Sequence, residues 1–510
     1  MKAVVIGSGL SGLVVGLSLV RDGYEVELFE QYETLGGVTD TLEKDGYMWD
    51  IGPMLVEAMM PDERAGRVLD DLGVLDRFEI IRDQRGYIFP DYDIVKPEGY
   101  TGPFWRKEHM MNLFPEERKG LERYYRDYTR FCEIVTLFFE SERKKGLSAL
   151  VAKARMLLKL LPIWGYQKMS AQQLMDRYFK SEKIKAIFMT ILADFVALPS
   201  EFPGLGVFAV NPEPAWDREL SLDVSSVGHQ ASYTYIKGGI GKLVDAMADA
   251  IREAGGTIHT GVAVEEILVE EGSAKGVLTA DGRNVPADVV VASGGAHETF
   301  KRLVGKENLP DRFMDDLEDL ELMESVFMVH VGIDFDPKQY QQEATVYYYQ
   351  TYDIEGAVKE AQEGHYHEGK DGFVIYIPSM HSPEMAPPGH HAMTIYTIAP
   401  DVISNGDWST DRERFYNSLM DEAEKVFPDL RKKVKTKVIM TPEDFRKITH
   451  LEHHAFGGLK PVLGKTGQSY KTPVDGLWFV GQQSESGGGV SNVLYGAKKA
   501  ANTIAKKGKK

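Results

Sequence analysis

Residues 3–12 read Ala3-Val4-Val5-Ile6-Gly7-Ser8-Gly9-Leu10-Ser11-Gly12, a short apolar run that breaks into three spaced glycines. The run Ala3–Ile6 has the form of a strand buried on both faces. Leu13 to Arg21 reads as a helix ending before Asp22-Gly23, and Tyr24 to Phe29 as a second strand closed by Glu30. Strand, glycine turn, helix and strand in this order open a Rossmann-type α/β unit. In such a unit Gly7 permits the tight turn, Gly9 lets backbone approach a pyrophosphate, and Gly12 lets the helix pack on the sheet. Ser8, Leu10 and Ser11 fall inside the same loop, where the helix start offers N–H groups and the positive end of its dipole. Glu30, 18 residues beyond Gly12, is placed to accept hydrogen bonds from ribose hydroxyls.

This fingerprint alone fits FAD and NAD equally. Two further segments favour FAD. Gln31 to Thr39 carries the pair Gly36-Gly37 followed by Val38-Thr39, where backbone can pass close to a second phosphate and a ribityl chain. Near the far end, Leu477-Trp478-Phe479-Val480 reads as a buried strand, followed by Gly481-Gln482. Gly487-Gly488-Gly489-Val490-Ser491-Asn492-Val493 then opens a helix predicted to run to about Ile504. A glycine cluster at a helix start is an anion-type site, assigned here to the N1–C2=O edge of a flavin. No second strand–GxGxxG–helix is visible: Gly204-Leu205-Gly206 lacks the third glycine, and Gly255-Gly256 reads as a helix-to-strand turn. A separate NAD(P)H module is therefore not expected. Electrons would pass through a quinone, dioxygen, a small carrier or the substrate itself.

The bulk numbers set the limits. A chain of 510 residues predicts two or three domains, which can be interleaved. The net charge of −18 argues against nucleic acid as a partner. A single cysteine, Cys132, excludes an intrachain disulfide, a dithiol redox pair and cysteine-based metal clusters, so an organic cofactor would carry electrons. The apolar start is broken by Gly7, Gly9, Gly12 and Gly16 and shows no cleavage signal, and no window offers 18 uninterrupted apolar residues. The expectation is a cytoplasmic protein without a spanning helix.

The motifs together resemble those of the phytoene desaturase family of amine-oxidase-like flavoproteins, which includes carotenoid desaturases, carotenoid isomerases and retinol saturases. The likeness rests on Gly7–Gly12, Glu30, Gly36-Gly37, Trp49-Asp50-Ile51-Gly52-Pro53, Tyr235-Ile236-Lys237-Gly238-Gly239-Ile240-Gly241-Lys242-Leu243, and Gly481 to Leu494. Returning strands at Gly261–Ile267 and Ala287–Ala292, with Pro378-Ser379 and Ala386–Gly389, extend it over essentially the whole chain. The resemblance implies non-covalent FAD, a backbone contact from Val264 to the adenine, and a flavin lined by Gly52, Pro53 and the Gly481 region. Val38, Gln482 and Glu485-Ser486 stand where many members carry arginine, an acid and a His-Pro pair. FAD binding is expected to survive these departures, but they leave the substrate and the direction of reaction open. Glu485 is the candidate proton-transfer group, because the resemblance places it near the ring.

Residues 143–168 hold Arg143, Lys144, Lys145, Lys153, Arg155, Lys159 and Lys168 and no acid. Leu147, Leu150, Val151, Ala154, Leu157, Leu158 and Leu161 repeat at helical spacing, Pro162 ends the helix, and Trp164 and Tyr166 follow. Two readings are open: a helix lying in a membrane surface, or a helix packed on the core with a solvated basic side. Lys506, Lys507, Lys509 and Lys510 could add attraction, although a basic tail is more often solvation. His450-Leu451-Glu452-His453-His454 could suggest a metal, but no distant carboxylate cluster accompanies it, so no metal is expected. His365, His367, His390 and His391 read as loop residues. Tyr347-Tyr348-Tyr349 reads as a strand whose alternate rings share a face.

The predicted architecture is α/β: a Rossmann-type FAD domain interleaved with a mixed α+β substrate domain and a helical cap. Residues 1–75, 225–305 and 465–510 form the FAD domain, 106–224 the cap, and 76–105 with 306–464 the substrate domain. The expected function is desaturation or saturation of carbon–carbon bonds in a hydrophobic polyene, isoprenoid or similar lipid by hydride transfer to or from flavin N5. The alternatives are a redox-neutral polyene isomerase, an amine-oxidase-like enzyme, and a cofactor-free prenyl-protein escort. The last is disfavoured by the intact glycines and Glu30.

Overall fold

The computed structural model describes residues 1–508 apart from Thr101 and Pro103. Lys509 and Lys510 of the basic tail lie outside the described residues.

A five-stranded parallel sheet runs Thr257–His259, Glu25–Phe29, Lys2–Ile6, Val289–Ala292, Leu477–Phe479. The first strand is central, which is why Ala3, Val4 and Val5 are wholly buried and carry no polar alternation. The last strand comes from the far end of the chain. On one face the helix Leu10–Arg21 shares a core with Gly241–Glu253 and the closing helix Val490–Gly508. That first helix is buried from Leu10 to Val20, so its glycines and short side chains permit packing on every side. It begins three residues earlier than predicted because Gly9 is its N-cap. On the other face lies an antiparallel sheet of Val264–Glu270, Ser273–Thr279 and Asn284–Pro286.

A seven-stranded sheet stands beside this unit, in the order Val434–Met440, Ser325–Ile333, His391–Ala399, Gly372–Tyr376, Thr345–Tyr349, Arg85–Ile88, Asp93–Ile94. Period-two alternation divides its side chains. Phe327, Val329, Phe373 and Ile375 enter one core with Trp408 and Phe415. Val326, Met328, Val374, Tyr376, Tyr347 and Tyr349 face the other way, into the core shared with the helices. Tyr347 and Tyr349 thus share a face, as expected, and Tyr348 stacks on Phe373 on the opposite one. Segment 76–105 is divided between sheets: Ile80–Asp83 pairs with Tyr233–Ile236 in a small sheet with Val56–Glu57, while Arg85–Ile88 joins the large one.

Helices at Trp105–Leu113, Arg118–Arg143, Leu147–Leu160, Ala171–Tyr178 and Glu182–Met189 cover the large sheet. A buried ion pair, Arg106 Nη2 to Glu213 Oε1 at 2.6 Å, ties them to the segment beyond. The helix Leu147–Leu160 leans on Arg118–Arg143 but buries only Ala152, with Ile163 just past its end. Its predicted apolar stripe is open: Leu147, Leu150, Val151, Leu157, Leu158 and Leu161 are all exposed, as is Trp164. The core-packed reading of that stripe is therefore corrected, because the helix docks by its other edge. Among the described residues no helix is long and apolar enough to cross a membrane.

Candidate functional site

A cleft of about 1000 Å³ opens at the carboxyl ends of the first sheet's strands and continues under the helical cover. The open side of a parallel sheet at its carboxyl edge is where α/β proteins place ligands. Gly7 has φ +92°, and a Cβ there would lie 2.6 Å from the Ser293 carbonyl oxygen. Only glycine makes this turn so close to the neighbouring strand. The turn delivers Gly9, Leu10 and Ser11 to the cleft wall, at a helix start that no side chain caps. Its first-turn N–H groups are therefore available to an anion.

Glu30 also lines the cleft. Its Oε2 accepts from the Ser8 N–H at 2.8 Å and the Ser8 hydroxyl at 2.6 Å, and its Oε1 accepts from the Tyr32 N–H at 2.9 Å. Ser8 Oγ in turn accepts from the Gly36 N–H at 3.0 Å. Ser8 thus clips the glycine loop, the acid and the paired glycines together. Ser8 and Gly12, expected among the contact residues, do not line the cleft and lie directly behind its wall. Ser8 is buried in the clip, and Gly12 packs so tightly that a Cβ would lie 2.0 Å from the Gly7 carbonyl oxygen.

Gln31, Gly36, Gly37, Val38, Thr39, Gly52, Pro53 and Val264 line the same cleft. So do Gly481, Gln482, Glu485, Gly489, Val490, Ser491 and Val493 from the other end of the chain. Glu485 is exposed and stands beside Tyr470. Of the histidine cluster, His450 lines the cleft, whereas His453 meets the Met323 carbonyl oxygen at 2.8 Å and His454 meets Ser325 Oγ at 2.6 Å. Burial pushes the His454 pKa down to about 3, so its ring stays neutral.

Several lining residues were not anticipated from sequence. Arg64 donates to Asn492 Oδ1 at 2.9 Å, with its guanidinium carbon 4.3 Å from the centre of the Tyr495 ring. Burial lowers its pKa without discharging it at neutral pH. Beyond the glycines, the cleft becomes aromatic and aliphatic, with Tyr128, Phe131, Ile191, Phe208, Tyr347 and Tyr396 in its wall. Cys132 lines this part too, its thiol pushed up to about 12 by burial, so it offers no thiolate at neutral pH. Asp194 lines the cleft as well; of the other lining carboxylates, Glu57 accepts from the Tyr233 hydroxyl at 2.7 Å and Glu63 from the Ser232 hydroxyl at 2.5 Å. A lone acid within Ile191-Leu192-Ala193-Asp194-Phe195-Val196 was the available signal for Asp194.

The cleft suits an elongated dinucleotide: acid at one end, an uncapped helix start in the middle, and a glycine-rich helix start next to the apolar chamber. Such a fold and site define a dinucleotide-dependent oxidoreductase. The chain matches the family described as flavin containing amine oxidoreductase over residues 10–505, and it belongs to that family. It is a flavin-dependent oxidoreductase of α/β fold. It is 26% identical over 526 residues to a phytoene desaturase (neurosporene-forming) of Rhodobacter capsulatus, covering 99% of this chain and 94% of that protein. It is 26% identical over 515 residues to a 4,4'-diapolycopen-4-al dehydrogenase of Metabacillus indicus, covering 99% and 97%. In structure it is similar to an oxidoreductase from Methanosarcina mazei, with a TM-score of 0.65 at 19% identity, covering 98% of this chain and 100% of that one. That last likeness speaks to the fold alone.

Proposed function

We propose that this chain holds FAD non-covalently and desaturates or saturates carbon–carbon bonds in a hydrophobic polyene, isoprenoid or similar lipid. The observation that carries the reading is the continuity of the cleft: phosphate-type glycine loops at one end and an apolar chamber at the other, in one cavity. Bound FAD supplies the two-electron acceptor or donor for a hydride at carbon. The chain's own residues do the rest. The helix starts at Gly9 and Gly489 face anionic or electron-rich groups, and Glu30 accepts from ribose hydroxyls. Val264 meets the adenine, and Gly52, Pro53 and Gly481 flank the ring. The aromatic wall excludes water and holds an extended chain flat. Glu485 is the proposed proton-transfer group, and a quinone, dioxygen or a small carrier the external electron partner.

In this reading residues 1–75, 225–305 and 465–510 bind the cofactor, 106–224 cover the chamber, and 76–105 with 306–464 build its floor. The protein is cytoplasmic and lies peripherally on a membrane through residues 143–168. The open stripe supports this: Leu147 is 77% exposed and Leu158 66%, beside Lys153, Arg155 and Lys159. Val135 and Phe139, on the helix that carries the stripe's helix, line the chamber. A water-insoluble substrate could pass from bilayer to chamber without crossing water. The test is anaerobic incubation of the yellow holoprotein with a conjugated polyene, followed by mass spectrometry of the extracted lipid. A change of two hydrogens coupled to a change in flavin absorbance supports the reading. Unchanged mass with altered double-bond geometry replaces it with the redox-neutral isomerase.

A further inference from the structure

The apolar chamber has one feature that a plain hydrocarbon does not call for. Asp194 sits at the end of a 3-10 turn, Thr190–Phe195, and lines the chamber beside Ile191 and Phe195. Protein surrounds it, yet it keeps partial exposure, and it lines both the cleft and a smaller neighbouring cavity. The hydroxyl of Tyr347 lies beside the carboxyl, and Tyr396 lies next to Tyr347 on the adjoining wall. The groups acting on the carboxyl are the Tyr347 hydroxyl and the Arg85 charge, with no backbone N–H among them. Arg85 stands behind the wall, with Nη1 donating to the Tyr233 hydroxyl at 3.0 Å and Nη2 to the Val210 carbonyl at 2.9 Å. Among the described residues it makes no ion pair with Asp194 within 4.0 Å. A carboxyl placed in such surroundings with only a tyrosine hydroxyl as its hydrogen-bond partner is costly, and ligand cavities are where such groups are retained.

We propose that Asp194, with the hydroxyls of Tyr347 and Tyr396, grips an uncharged oxygen-bearing end of a long apolar substrate, a hydroxyl or a carbonyl. This rests on the reading of the chamber as the site of an elongated hydrophobic chain, and it makes the oxygenated members of that class the preferred ones. The charge state agrees with a neutral ligand. Burial pushes the Asp194 pKa up to about 7, opposed by the Arg85 charge and the Tyr347 hydroxyl. Near neutrality the group can donate to a carbonyl or accept from a hydroxyl. A carboxylate ligand would add a second negative charge beside Asp194, and the Nη atoms of Arg85 are turned to the Tyr233 hydroxyl and the Val210 carbonyl. A cationic amine would be brought close to Arg85 and to a carboxyl that is only partly ionised. Asp194 in this role is a specificity-determining residue.

The test is a binding titration of the holoprotein, followed by perturbation of the flavin absorbance, with three probes of one chain length: geranylgeraniol, the matching hydrocarbon without oxygen, and the matching amine. Wild type is expected to bind the alcohol about tenfold more tightly than the hydrocarbon. Asp194→Leu should remove that preference without weakening hydrocarbon binding, while Asp194→Asn keeps part of it. Flavin content and melting temperature establish that each variant is folded. Equal affinity for alcohol and hydrocarbon in wild type, a preference that survives Asp194→Leu, or tightest binding of the amine overturns the proposal while leaving the chamber as a lipid site. Failure of all three probes to bind overturns the reading of the chamber itself.

Discussion

Gly9 and Gly12 lie three residues apart and answer to different neighbours. A Cβ on Gly9, which lines the cleft, would meet only Ser293 Oγ, at 3.8 Å. Gly9→Leu is therefore expected to fold with little change in melting temperature but to purify without flavin colour. Gly12→Ala meets the Gly7 carbonyl and should lower the melting temperature before it affects colour, a difference read by comparing flavin content and thermal unfolding of the two variants. Asp50 supplies a pH test. It is fully enclosed, with Oδ1 accepting from the Ile240 N–H at 2.8 Å and the Thr41 hydroxyl at 3.0 Å while Oδ2 has no partner. Burial pushes its pKa up to about 7, above the value of about 4 in an unfolded chain. The folded state then holds a proton that the unfolded state releases. The stabilisation is complete below about pH 4 and is lost as pH rises to about 7. Relative to wild type, Asp50→Asn should gain stability across that window by several degrees in melting temperature and change no further above it. The glycines and Glu30 were legible because each has a fixed spacing imposed by one turn and one helix. Arg64, Asp50 and Asp194 were not, since their roles depend on neighbours more than a hundred residues away in the chain, and Ser8 as a clip was not, since it depends on how three loops meet.

The helix Leu147–Leu160 shows what periodicity can and cannot tell. Its apolar stripe and its basic residues were plain in the sequence, but what covers the stripe depends on which edge docks against Arg118–Arg143. Ala152 marks that edge. If the open stripe rests on a membrane, the paired change Leu150→Glu and Leu158→Glu should reduce co-sedimentation with anionic vesicles on the order of a hundredfold. Flavin content should stay unchanged, because neither side chain lines the cleft. Vesicle binding that is unaffected by this pair would remove the membrane from the proposed function. The strands of the large sheet were readable where alternation is strong, as in Ser325–Ile333, His391–Ala399 and Gly372–Tyr376. Short edge pieces such as Asp93–Ile94 and Val56–Glu57 carry too few residues for any period to register.

At the scale of the molecule, one cleft is built from both ends of the chain, and ligand binding should therefore stabilise the whole. Added FAD at about a hundred times its dissociation constant should contribute about 2.7 kcal/mol to the colourless protein. A thermal melt with and without FAD measures this, and an unchanged transition would argue that the cleft takes something else. That strands from both ends of the chain share one sheet was legible because strand-and-glycine signals stand near both, although the division of segment 76–105 between two sheets was not.

The order of the strands has a consequence for synthesis. Val289–Ala292 pairs with Lys2–Ile6 on one side and with Leu477–Phe479 on the other, and the latter leaves the ribosome long after its partner. Through nearly two hundred residues of translation the nascent sheet has an unfilled edge, and the opening glycine loop waits without its opposite wall. A chain that stalls before residue 477 therefore lacks both the edge strand and one wall of the cleft, and exposes an unpaired strand that invites aggregation.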